Sequence, residues 1–491
     1  MYLIGFDIGS SSVKAAIVDA ESRQTIATVR YPESEMRIAA PHPGWAEQDP
    51  DFWWEAVCQA SRMALQKSGV DAADIGAIGI AYQMHGLVLC NRQGQALRPS
   101  IIWCDNRAIQ PGHALEQHLG TNFCLEHYLN TPGNFTAAKL KWVLDQEPAI
   151  AAQIYKIMLP GDYIALKMTG TFTSTVSGLS EGILWDFKQK QPALELLEAM
   201  GLDNSILPEI HDSCGHHGQL NADAARMLGL RPGTPLTYRA GDQPNNALAL
   251  NVLQPGEIAA SGGTSGVVYA VSDGVRFDPA QRVNTFAHVN YSAENTRTGV
   301  LLCINGTGSL YQWLRRNIAV NGMTYNQMEQ QAAAASPGAD GLLMLPFGNG
   351  AERMLGNRDL GAQVHGLQFN RHTQGHLYRA ALEGIVFAFA YGIHAMREMG
   401  IPVKVMRAGN DGLFQSEIFA QSLADLVGTE IQLLETNGAA GAAKAAGLIV
   451  GAYPSLEAAT AQTHLQNTFQ PAPPHPALLA SFEQWQQLLQ G

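Results

Sequence analysis

Apolar and polar positions alternate in short blocks over residues 2–31, and the blocks predict strand, turn, strand, turn, strand. The first corner is Gly9-Ser10-Ser11-Ser12 and the second is the polar run "DAESRQ". From 52 to 68 the period changes: Trp53, Val57, Ser61 and Ala64 recur near one stripe, which predicts an amphipathic helix. "IGAIGIAY" (75–82) is an unbroken apolar run, the mark of a buried strand, and it ends at "QMHG" (83–86). A second apolar stretch, 99–107, ends on Trp103, Asp105 and Arg107, and helical patterns flank 135–148. Residues 376–396 carry Leu377, Ala381, Ile385, Ala388 and Gly392 on one helical stripe. Residues 438–451 form a helical pattern of small side chains suited to close packing. "QPAPPHPA" (470–477) reads as a loop before a short terminal helix.

Near residue 250 the pattern starts again. "SGGTSGVVYAVSDG" (261–274) sets Gly263-Thr264-Ser265-Gly266 over the first corner, and "VVYAVSD" over "VKAAIVD". A chain of 491 residues is long for one core. The expected division is therefore 1–248 and 249–491. The echo is either a duplicated unit or a coincidence between two common turns, and the local match leaves both open.

Composition adds exclusions. The 31 basic and 43 acidic side chains give a net charge of −12, which argues against holding nucleic acid by phosphate neutralisation but not against a nucleotide ligand. The six cysteines form no CxxC pair and read as thiols of a reducing compartment. The N-terminus lacks a basic segment before an apolar core, and the most apolar helical run, 384–396, is too short to span a bilayer. The expectation is a cytoplasmic protein without membrane or nucleic-acid partners.

The corners also carry candidate chemistry. A Gly-hydroxyl turn can aim backbone N–H groups at an anion, and Ser10, Ser11 and Lys14 add donors. Asp7, just before the turn, is placed to hold hydrated Mg²⁺ beside a phosphate. Two such turns face to face could clamp one nucleotide. Neither GxxxxGK[ST] nor a complete GxGxxG opening a helix is present. Asp242, in "RAGDQPNN", suits a general base for a hydroxyl if it faces a cleft, or else an Asx turn or helix cap. Met84-His85 can present backbone and imidazole to a polar ligand, or be a partly buried turn. His211, Cys214, His216 and His217 crowd one segment, but no second ligand cluster follows, so a loop without metal is expected.

In this order, "DIGSSSVK", "QMHG", "WCDNR", "FTAAKLKW", "GDQ", "GGTSG", "GTGSLYQWL" and "AQVHGLQFNRHTQGHLYRAALE" resemble the motifs of the FGGY carbohydrate kinase family, over Asp7 to about Gly451. The resemblance implies an α/β fold of two actin-like (ribonuclease H-like) domains, each a mixed sheet with flanking helices, around a central cleft. It implies MgATP-dependent phosphorylation of a sugar, and "QMHG" resembles the xylulose kinase branch. Carried over by position, Asp242 is the catalytic base, and Met84, His85, Asp242 and Gln243 line the sugar site. Asp7 serves Mg²⁺, and Gly9, Ser10, Ser11, Lys14, Gly263 and Thr264 meet phosphates. Gly308 contacts the nucleotide, with Gly409 and Asn410 near its adenine-ribose part. Three positions depart from the family pattern. Gln243-Pro244 stands where Asn usually follows the aspartate, 408–417 lacks the usual glycine triplet, and 348–355 lacks a Pro after Glu352-Arg353.

The implied reaction is transfer from ATP to the terminal hydroxyl of D-xylulose, with L-ribulose or another ketose or polyol as the alternative acceptor. The partners are then a small sugar and ATP, and a homodimer is the family-based expectation. A catalytically weak sugar or nucleotide sensor and an actin-like filament protein are the rival classes. The retained Asp7, Asp242 and paired turns weigh against the first, and the sugar-side motifs against the second.

Overall fold

The computed structural model describes residues 1–320, 322–435, 437–461 and 464–490. The elements that build the site are, in the first half, β1 (Tyr2–Ile8), β2 (Val13–Asp19), β3 (Thr25–Tyr31), α1 (Pro50–Ser68), β4 (Ile75–Tyr82), α2 (Thr136–Gln146), α3 (Val176–Glu181), β5 (Leu236–Gly241) and α4 (Asp242–Ala249). In the second half they are β6 (Glu257–Gly262), β7 (Gly266–Asp273), β8 (Asn284–Ala287), β9 (Arg297–Ile304), α5 (Thr307–Asn317), α6 (Tyr325–Ala333), α7 (Gln374–Glu398), β10 (Val405–Gly409), β11 (Ile431–Glu435), α8 (Gly438–Ala446), β12 (His464–Phe469) and α9 (Pro476–Leu488).

The strands expected at 2–31 and 75–82 and the helices at 52–68, 376–396 and 438–451 are all present, with ends shifted by a few residues. The segment 135–148, expected between helices, is itself largely α2.

The first sheet has the order β5-β4-β1-β2-β3. Its β5, β4 and β1 run parallel, and β1, β2 and β3 run antiparallel. The second sheet has the order β8-β9-β7-β6-β10-β11-β12. Its inner five strands repeat the first sheet strand for strand: β11, β10 and β6 are parallel, and β6, β7 and β9 antiparallel. This recurrence is what the residues of the two corners alone could not decide.

Two helices exchange places between the halves. α4 leaves β5 of the first sheet, and its Ala247, with Leu250 and Val252 just beyond it, packs on Ala259, Tyr269 and Val271 of the second sheet. α8 leaves β11 of the second sheet and lies on β1 and β4 of the first. Its alanines fit because the strands beneath are stripped of side chains: a Cβ on Gly5 would come within 2.1 Å of the Ala439 carbonyl oxygen, and one on Gly79 within 2.0 Å of that of Ala442. Behind the first sheet, α1 covers β2 and β3 and buries Trp53 completely. The long α7 carries the core of the second half, with Ile385, Phe389 and Ile393 fully buried. Both exchanged helices begin at the cleft between the sheets.

Candidate active site

The first corner behaves as an exposed amide surface. Gly9 N–H closes the turn on Ser12 O at 3.0 Å, and no described acceptor takes the N–H groups of Ser10 and Ser11. Asp7 and Lys14 face each other across β1 and β2, with Nζ 3.7 Å from Oδ2. Both line a cavity of about 280 Å³ with Gln243, Asn246, Ser261 and Gly409 among its walls. Burial holds the Asp7 carboxyl above its ordinary range, and the Lys14 ammonium opposes this. Gly438, the first residue of α8, leaves room for it: a Cβ there would lie 2.8 Å from Asp7 Oδ2. Mg²⁺ is commonly bound by one or two carboxylates, with waters and phosphate oxygens completing its shell, so Asp7, with Asp411 on the same cavity wall, fits such an ion. Among the described residues no group of three His, Cys, Asp or Glu side chains could hold a metal.

Asp242 opens α4 directly after β5. Its carboxyl is pushed up to about 7, first by burial, then by the negative charge of Asp7, against hydrogen bonding from Gln243. Asp242 therefore exchanges its proton near neutral pH, the condition under which a general base works best. Met84 and Glu181 stand beside the preceding residue, a Cβ on Gly241 lying 2.6 Å from Met84 Cγ and 3.0 Å from Glu181 Oε2, and His85 Nδ1 lies 4.0 Å from that same Glu181 oxygen. His85 adopts φ 62°, and its ring packs against Phe135 and, from the second half, Phe286, with centroids at 4.8 and 5.4 Å. Trp103 is half exposed, and its indole N–H donates to Ser10 Oγ at 3.4 Å. In the same motif Asp105 and Arg107 turn inward, where Arg107 grips Asp105 and Glu47 and lies 3.7 Å over the Trp45 ring.

The second corner is packed against α5. Gly308 and Ser309 N–H donate to the carbonyls of Gly263 and Thr264, each at 3.1 Å, and a Cβ on Gly308 would lie 2.1 Å from Gly263 O. The corner's carbonyls are thus tied back, while the N–H groups of Thr264 and Ser265 have no described acceptor. Gly263, Thr264 and Gly308 border a cavity of about 320 Å³ with Tyr311, Tyr325 and Gln415. Tyr311 and Tyr325 stack there at 5.8 Å and 17°. Gly409 lines the central cavity instead, beside Asp411, and Asn410 spends its side chain on Gln466 at 2.5 Å.

Sequence reasoning missed Glu181, Lys139 and the two stacked tyrosines. Glu181 is buried beside His85, with the Tyr82 hydroxyl as the group facing its carboxylate. Burial, then the charge of Asp242, raises its carboxyl well above the ordinary range. Lys139 is fully buried on α2 and donates from Nζ to the His85 carbonyl at 2.7 Å. No local signal marks Glu181 or Tyr325, whereas Lys139 lies inside the quoted "FTAAKLKW" and Tyr311 inside "GTGSLYQWL". Among the described residues no helix is long and apolar enough to cross a membrane.

Comparison with known proteins agrees with this geometry. The sequence model of the FGGY family of carbohydrate kinases, N-terminal domain, matches residues 2–249, and that of the C-terminal domain matches 258–449. The chain is 31% identical over 474 residues to the xylulose kinase of Escherichia coli (strain K12), covering 95% of this chain and 94% of that protein. It is 28% identical to the glycerol kinase of Polaromonas naphthalenivorans, covering 96% and 95%. The crystal structure of the xylulose kinase from Rhodospirillum rubrum superposes with a TM-score of 0.88 at 26% identity, over 100% of this chain and 97% of that one. The repeated sheets, the exchanged helices and the two amide-lined corners are the two actin-like domains of a sugar kinase, and the chain belongs to the FGGY family of carbohydrate kinases.

Proposed function

We propose that the protein transfers the γ-phosphoryl group of ATP to the terminal hydroxyl of D-xylulose, giving D-xylulose 5-phosphate and ADP. The observation that carries this reading is Asp242: a carboxyl poised near pH 7, near enough to Asp7 to feel its charge, preceded by Gly241 against Met84 and followed by Gln243 on the wall of the Asp7 cavity. The hydroxyl oxygen forms the new bond to the γ-phosphorus as the bond to the bridging oxygen of ADP breaks, and Asp242 takes the hydroxyl proton. Phosphoryl transfer depends chiefly on alignment and charge neutralisation, so the remaining residues position rather than react. Asp7 would hold Mg²⁺, which when bound neutralises charge on the phosphate oxygens. The corner amides at Ser10, Ser11, Thr264 and Ser265 and the Lys14 ammonium would bind the phosphates, and the Tyr311–Tyr325 cavity the base. Closure of the halves around α4 and α8 would exclude water as a competing acceptor.

The likeness to xylulose kinases, with "QMHG" in the first half, supports a ketopentose. The likeness to a glycerol kinase defines the competing polyol reading. A coupled ADP-release assay across D-xylulose, L-ribulose, polyols and glycerol tests both. D-xylulose is expected to give the highest kcat/KM, and a higher value for glycerol would overturn the choice of acceptor.

A further inference from the structure

The sugar side of the cleft contains a histidine held in an unusual state, and the residue that holds it is one the reaction does not otherwise use. His85 occupies the left-handed region at φ 62°, which a side chain bearing a Cβ adopts at a cost. Three contacts over-determine it. Lys139 Nζ donates to its carbonyl at 2.7 Å, its own Nδ1 lies 3.0 Å from the Glu181 carbonyl oxygen, and its ring sits against Phe135 and Phe286. A carbonyl can only accept, so Nδ1 carries the proton. Burial, with the Lys139 charge, lowers the imidazole to about 3, so the ring stays neutral throughout the working range. Nε2 then presents a bare lone pair, and no described residue supplies it with a donor. The groups that face this arrangement are Glu181, Arg353 and Lys139 around the ring, and Asp105, Cys104 and Arg107 around Lys139. Asp105 is committed to Arg107, which leaves the His85 carbonyl as the acceptor of Lys139 Nζ; burial lowers this amine to about 7, and it donates to the carbonyl whether charged or neutral.

We propose that Lys139 is a positioning residue that pins His85 in its left-handed conformation, so that Nε2 meets the sugar as an acceptor and the site selects a substrate offering it a donating hydroxyl. This rests on the sugar-kinase reading of the cleft and narrows it. The group opposite His85 is a hydroxyl, not a carboxylate or carbonyl oxygen, whose lone pairs would face that of Nε2.

The test is a double-mutant cycle in the full chain. Lys139→Met keeps the length of the stem and removes the donor. The sugar KM is expected to rise by about tenfold or more, with a smaller change in kcat, as for a lost binding contact. In a His85→Ala background the same substitution should add less than about twofold, because its effect passes through the imidazole. An unchanged sugar KM, or an equal increase in both backgrounds, overturns the proposal. If Lys139→Met shows no cooperative melting transition, the wild-type chain decides. Its ¹⁵N-histidine spectrum, with the His85 signal identified by its loss in His85→Asn, should show protonated Nδ1, bare Nε2 and no titration between about pH 6 and 8. A protonated Nε2 overturns the proposal. If no acceptor in the panel is phosphorylated, the proposed function fails while this spectrum still decides the state of His85.

Discussion

The ends of β1 and β6 occupy the same place in two sheets of the same topology, yet they carry different chemistry. At β1 the paired residues are Asp7 and Lys14; at β6 they are Ser261 and Val267. All four line one cavity. The exchanged helices differ in the same sense. α4 begins on Asp242, whereas α8 begins on Gly438, whose missing side chain admits the Asp7 carboxylate. Both halves offer backbone donors at their corners, but the first half supplies the Asp7–Lys14 pair and Asp242, whereas the second brings a single carboxylate, Asp411, to the cavity and makes room at Gly438. The division suits a reaction in which the metal and the acceptor proton need carboxylates while the nucleotide needs close approach to main chain.

The sharpest way to break the comparison is to remove the charge that α4 contributes. Asp242→Ala is expected to lower kcat by about 10²–10⁴-fold, the usual worth of a general base, with a small change in sugar KM. Near-normal turnover in the folded variant would remove Asp242 from the mechanism. The wild-type kcat/KM for sugar should fall about tenfold per pH unit below the Asp242 value of about 7. The same shift has a stability consequence. Folded Asp242 keeps its proton up to about 7, while an unfolded chain releases it near 3.8, so the folded state binds more protons between those values. Stability therefore declines as pH rises through that window, and Asp242→Asn should melt higher than wild type at pH 8 while losing activity. An Asp242→Asn chain less stable than wild type at that pH would contradict a raised carboxyl.

The charge at β1 comes next. Asp7→Ala should raise the Mg²⁺ concentration for half-maximal rate by about tenfold or more, since the cavity then keeps only the Asp411 carboxylate among its described lining residues. It also relieves Asp242 of its neighbouring negative charge, so the lower limb of the pH profile should move to lower pH. An unchanged Mg²⁺ titration together with an unmoved profile would separate Asp7 from both roles. On the other side, Gly308→Ala tests the uncharged corner. Its Cβ would meet Gly263 O at 2.1 Å, so the corner or α5 must shift, at about 1–3 kcal/mol of stability. The KM for ATP should rise more than the KM for sugar; the opposite order would assign this corner to the acceptor.

How much of this was legible depends on how far each contact reaches along the chain. The corners at 9–12 and 263–266 were legible because Gly and hydroxyl residues between apolar runs specify a turn locally. Asp7, Lys14 and Asp242 lie within a few residues of such punctuation, and the structure places them on or beside one cleft. The duplication was not decidable locally, since it resides in the order and sense of ten strands, five in each sheet. Glu181 lies in a stretch without distinctive pattern and gains meaning only through His85, 96 residues away. Tyr311 and Tyr325 are helical aromatics that periodicity assigns to packing until the fold stacks them over a cavity. The small-residue stretch at 438–451 was correctly expected to pack closely, but that it packs on the sheet of the other half follows only from Gly5 and Gly79 opposite it.

Lys14 gives the smallest expected effect and the finest distinction. Its ammonium is half exposed and 3.7 Å from Asp7, so solvent screens it and the pair adds little to stability. If it serves only to hold Asp7, then Lys14→Met should leave the KM for ATP unchanged and alter the Mg²⁺ titration alone. If it reaches the phosphates, the KM for ATP should rise by about two- to fivefold, and the increase should shrink as salt is added, because an exposed charge acts through a screened field. Placing the cation in the other half is the complementary experiment. Val267→Lys, opposite Ser261, puts an ammonium on the same cavity wall in the position that Lys14 occupies at β1. Partial recovery of the ATP KM in the Lys14→Met, Val267→Lys double variant would show that the cavity needs a positive charge but not a particular half to supply it. Absence of recovery would show that the register with Asp7, rather than the charge alone, is what the first corner contributes.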